Sequence, residues 1–82
     1  MYIFHADPGH AWLAVKRKEL IKLGILDKIT HFSYQKGGTV YLEEDCDAGI
    51  FIKAKKVIGE VVEYRESHQD NTPIRRYEHF KQ

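Results

Sequence analysis

The sequence predicts a small α+β domain: a mainly antiparallel sheet of hairpins with two short helices, in the order ββαββαββ. Three observations predict it. Short aromatic and β-branched runs come in pairs, with turn residues between the members of each pair. Two stretches, 16–23 and 48–58, carry apolar residues at helical spacing, and each is followed by a glycine, Gly24 and Gly59. A length of 82 residues allows one hydrophobic core, so residues 1–82 are expected to form a single domain.

The elements follow in chain order. Tyr2-Ile3-Phe4 and Ala11 to Val15 flank Asp7-Pro8-Gly9, which is turn chemistry, and so predict a hairpin with Trp12 as a core anchor. Lys16 to Leu23 puts Leu20, Ile21 and Leu23 on an apolar face and Lys16, Arg17, Lys18 and Lys22 mostly on a wet one. Ile29 to Tyr34 and Thr39 to Glu43 predict a second hairpin around Lys36-Gly37-Gly38. Asp45 or Asp47 is placed to cap a helix from Ala48 to Ile58, whose core stripe is Ile50, Phe51, Ala54, Val57 and Ile58. Glu60 to Glu66 and Ile74 to Phe80 predict a third hairpin across the polar loop 68–73.

Composition excludes several classes. A net charge of +1 speaks against a strongly basic nucleic-acid binder and equally against an acidic DNA mimic. A single cysteine rules out an internal disulfide and suits a reducing cytoplasm. The N-terminus has neither the basic start nor the apolar run of a signal peptide, and no apolar run reaches the roughly 18 residues of a bilayer span. The expectation is a cytoplasmic protein without a membrane partner.

Three constellations carry chemistry. Glu43, Glu44, Asp45 and Asp47 crowd the junction between a strand and a helix. Carboxylates at that density suit a basic partner surface, a divalent ion or a helix cap. The second is His5, Asp7 and His10 across the first turn, with Cys46 as a further donor; these are ligand types for zinc or another borderline metal. The competing assignment makes Asp7 an Asx-turn residue. The third is a basic surface of Lys16, Arg17, Lys18, Lys53, Lys55 and Lys56, which would contact phosphates if both helices lie on one side of the sheet. No nucleophile elbow, phosphate loop or paired-cysteine motif occurs, and no residue is assigned a catalytic role. Apart from a metal ion at the histidines, no cofactor is expected.

The phrases His5-x-Asp7-Pro8-Gly9-His10-x-Trp12-Leu13-x-Val15, Leu23-Gly24-Ile25, Ser33-Tyr34-x₂-Gly37 and Tyr41-Leu42-Glu43-Glu44-Asp45-Cys46-Asp47 span most of the chain. With Ile74-Arg75-x-Tyr77 they resemble a family of small uncharacterised proteins encoded by phages, plasmids and other mobile elements. This chain has Ala6 between His5 and Asp7, where the family pattern sets histidine directly before aspartate. The resemblance implies a non-enzymatic protein that binds a host protein, such as a component of a CRISPR defence system. Glu43, Glu44, Asp45 and Asp47 are then the expected contacts. A metal-binding protein or small metal-dependent hydrolase, and a nucleic-acid-binding module, are the two alternatives.

Overall fold

The computed structural model describes residues 1–82. Its strands are β1 Tyr2–Ala6, β2 Ala11–Lys16, β3 Tyr34–Lys36, β4 Thr39–Glu43, β5 Tyr64–His68 and β6 Glu78–His79. Two helices, α1 Arg17–Lys22 and α2 Asp47–Val57, and two 3-10 turns, Leu26–Lys28 and Pro73–Arg76, complete the chain. The strands form one sheet in the order β5-β1-β2-β4-β3-β6, antiparallel throughout except for the β1–β5 pair. The class is α+β.

Local chemistry sets the ends of these elements. Both helices stop in the same way. Beyond α1, Gly24 takes φ 72° while Ile25 N–H reaches Leu20 O and Gly24 N–H reaches Ile21 O, each at 3.0 Å. Beyond α2, Gly59 takes φ 82° with the equivalent bonds from Glu60 and itself to Lys55 and Lys56. This Schellman pairing satisfies carbonyls that a helix end leaves open, and glycine enters the left-handed region without a Cβ clash. In the β3–β4 hairpin only the first of the two central glycines, Gly37, has positive φ, as a type II′ turn requires.

The core lies between the sheet and the helices. Period-two alternation turns Leu13 and Val15 of β2 and Val40 and Leu42 of β4 to one face. There they meet Leu20 of α1, Ala48 and Phe51 of α2, and Ile25, Ile29 and Phe80 from the connections. Leu13, Leu20, Leu42 and Phe51 are fully buried. Lys55 of α2 ties the helices together through ion pairs to Glu19 (3.3 Å) and Glu60 (2.8 Å). The Glu60 hydrogen bond chiefly raises the Lys55 pKa, which keeps the ammonium charged.

Three expected elements differ. The strand expected from Ile29 starts only at Tyr34, because Thr30 N–H is drawn to the Asp47 carboxylate rather than into a ladder. The strand expected from Glu60 starts at Tyr64 and pairs in parallel with β1. The third hairpin does not form: β5 and β6 sit at opposite edges of the sheet. Pro73 has no N–H to give a ladder and opens a 3-10 turn that buries Ile74, leaving only Glu78–His79 to pair with β3. No helix is long and apolar enough to cross a membrane.

Candidate functional site

The sheet face turned away from the helices is aromatic. In register, His5 lies opposite Trp12, Trp12 opposite Glu43, Tyr34 opposite Tyr41, and Tyr34 again opposite His79. The rings touch in sequence. His10 and Tyr34 pack on Trp12 with centroids 5.9 and 6.0 Å away, His79 stacks on Tyr34 at 4.7 Å, and Tyr77 covers Tyr41 at 5.3 Å. At the β2–β4–β3 end this face opens into a cleft of about 330 Å³. Trp12, Tyr34, Phe32 and His79 wall it, together with His10, Arg75, Glu43, Asp45 and Cys46.

Arg75 is fixed by the turn that the sequence placed at Asp7. Asp7 Oδ1 accepts the N–H groups of Gly9 and His10 at 3.0 Å each, an Asx turn. The same carboxylate takes two N–H bonds from Arg75, at Nε and Nη2. Its side chain is 3% exposed. A Cβ on Gly9 would approach Arg75 Nη2 to 3.2 Å, so glycine leaves the guanidinium room. Arg75 then lies over the Trp12 ring at 5.4 Å.

The Arg75 bonds, with the Gly9 and His10 N–H groups, hold the Asp7 carboxyl well below the usual carboxylate range. A depressed folded pKa stabilises the fold at every pH above the unfolded value of about 4 and is lost as pH falls through the folded one. Wild type is therefore expected to lose stability between about pH 4 and pH 2, and Arg75→Ala to lose less over that window. Urea midpoints at several acid pH values measure this. Parallel acid curves for the two proteins would show that Arg75 does not hold Asp7.

The four acids of the junction separate into distinct roles. Asp47 is fully buried, and Oδ2 accepts from Thr30 N–H (3.0 Å), Thr30 Oγ1 (2.8 Å) and Ser33 Oγ (2.5 Å). It is an internal anchor and not a partner contact, which corrects the expectation for that residue. Neither Asp45 nor Asp47 caps α2; the N-cap is Cys46, with no side-chain cap bond. Glu43 is 9% exposed and accepts the Asp45 N–H, at 3.0 and 3.1 Å to its two oxygens. Glu44 and Asp45 are exposed. Partial desolvation of the Cys46 sulfur, followed by the Glu43, Asp47 and Asp45 carboxylates, pushes its thiol up and disfavours the nucleophilic thiolate.

The expected metal set does not converge. Asp7 is committed to Arg75, and His5 packs edge-on against Tyr41 at 6.0 Å. No three histidine, cysteine, aspartate or glutamate side chains group closely enough to hold an ion. Burial, and then Arg65, lower the His5 pKa and favour the neutral ring. The expected phosphate-binding set is also divided. Lys16, Lys18, Lys53 and Lys56 are exposed, but Arg17 bonds Gln35 and Lys81 O and lies over Phe80, and Lys55 is held by Glu19 and Glu60. Those two cations work inside the fold.

Phe32 and His79 are absent from the expected site residues. A signal for part of the cleft is present in the chain: Trp12 and Tyr41 alternate with Leu13 and Leu42, so both faces of the central hairpins are apolar. The 68-residue separation between Asp7 and Arg75 carries no such signal. No protein-family model, curated protein or solved structure matches the chain.

Proposed function

We propose that the chain is a non-enzymatic binding protein of a phage or mobile element. In this reading it acts in the host cytoplasm as an anti-CRISPR-like inhibitor of a host defence system, by occluding a basic surface of a host protein. The setting rests on the family resemblance. The observation that carries the contact surface is the exposed pair Glu44–Asp45, of which Asp45 lines an aromatic cleft. Two carboxylates there steer a basic surface inward, and buried aromatic area next to a charged rim is the anatomy of a binding hot spot.

Two measurements test the reading. Expression of the chain in a host with an active defence system is expected to restore plaquing by a targeted phage; unchanged plaquing counts against inhibition. The partner captured from that host and identified by mass spectrometry is then purified. Glu44→Lys combined with Asp45→Lys is expected to weaken its binding by at least about tenfold, because each reversal sets like charges face to face. Both positions are exposed, so the variant folds. Unchanged affinity of the folded variant rejects the acidic step as the contact.

A further inference from the structure

We infer that the cleft is a receptor for one arginine side chain of the partner, an inference that rests on the binding function proposed above. The volume, about 330 Å³, lies at the small end of ligand pockets and suits one side chain better than a whole nucleotide. Its charge selects the sign of the occupant. Arg75 is the only fixed cation of the lining, and the Asp7 carboxylate neutralises it through two bonds. Glu43 and Asp45 are left as the uncompensated charges. Glu43 is 9% exposed as a residue, and the Asp45 N–H is the backbone donor that its two carboxylate oxygens share. A carboxylate has about four lone-pair sites, so Glu43 keeps acceptor capacity for a further donor.

The walls distinguish arginine from lysine. Phe32, Tyr34 and His79 line the cleft with aromatic rings, and Phe32 is 58% exposed although it is a large apolar side chain. A guanidinium is planar, weakly hydrated, packs well on aromatic rings and offers paired N–H donors to a carboxylate. An ammonium is a compact, strongly hydrated point charge and gains less from the rings. An anion is disfavoured, because the Arg75 Nε and Nη2 donors are already bonded to Asp7 and the two acids repel it. The Arg75 guanidinium over Trp12 shows that the same aromatic surface already accepts this group from within the chain.

The test uses N-acetyl-arginine-N′-methylamide, with the citrulline, lysine and adenosine monophosphate counterparts, in an NMR titration of the intact protein. Shifts of the Trp12 indole N–H and the His79 ring report the cleft. Saturable arginine binding is expected in the ~millimolar range, since a single side chain carries few contacts. Citrulline, which has nearly the same shape and no charge, is expected to bind at least about tenfold more weakly. Glu43→Gln is expected to remove the preference for arginine over citrulline. Phe32→Ala, at an exposed position that the fold does not need, is expected to weaken arginine even if the Glu43 variant fails to fold. Equal binding of citrulline, stronger binding of the nucleotide, or no shift at saturating arginine would each overturn the inference. If arginine fails while the Glu44 and Asp45 reversals still abolish partner binding, the inference falls and the proposed function stands. If arginine binds but those reversals leave the partner bound, the acidic step is rejected and the cleft remains an arginine site.

Discussion

Asp47→Ala is expected to cost about 3 kcal/mol of stability, a large share of what an 82-residue domain holds. The Asp47 Oδ2 atom gathers three donors, two from Thr30 and one from Ser33. Ser33 Oγ in turn accepts the Glu43 N–H at 3.0 Å. One carboxylate thus joins the 30–33 segment, the end of β4 and the first turn of α2. Hydrogen bonds to a charged group contribute about 1.5–3 kcal/mol each, so three would suggest more than 3 kcal/mol. The offset is visible in the same side chain: Oδ1 is buried without a partner, and alanine removes that desolvation cost too. Asp47→Asn keeps the shape and one acceptor, and is expected to lose only about 1 kcal/mol. With a urea dependence of roughly 1 kcal/mol per molar, the alanine variant should unfold about 2–3 M earlier. A shift below about 0.5 M would show that the buried anion contributes little net stability.

Asp47 also illustrates what was legible in the sequence. An acid at a strand-to-helix junction reads locally as a cap, and the structure overturns that reading for both Asp45 and Asp47. That this acid turns inward to Thr30 and Ser33 depends on contacts 14 and 17 residues away, and local pattern does not carry them. The same division runs through the fold. The hairpins at Asp7–His10 and Gly37–Gly38 and the glycine stops at Gly24 and Gly59 were legible, since each is set by turn chemistry. The run 74–80 reads as a strand, yet Ile74 is buried in the 3-10 turn and Arg75 is taken by Asp7. Tertiary contacts override propensity there. Of the candidate site, the acids at 43–45 were legible as a charged step, whereas their aromatic neighbours come from three separate segments of the chain.

That second face yields the other large effect. No helix covers it, yet Trp12 is only 2% exposed. Its cover is the Arg75 guanidinium, the Tyr34 edge and the His10 ring. Trp12→Ala is expected to cost about 3–4 kcal/mol, the range for removing a large buried ring. Trp12→Phe, which keeps an aromatic surface, should cost about half of that. The mechanism can be separated from simple cavity formation. If Arg75 is seated by the indole, Trp12→Ala and Arg75→Ala should be non-additive, with a coupling of about 0.5–1 kcal/mol. Additive losses would mean that Asp7 alone positions Arg75 and that the ring acts only as filler. A total loss below about 1 kcal/mol for Trp12→Ala would refute the stronger point, that this aromatic layer is a second core holding the 72–77 segment onto the sheet. A layer that carries stability cannot rearrange freely, so the cleft walled by Trp12 and Tyr34 is largely preformed.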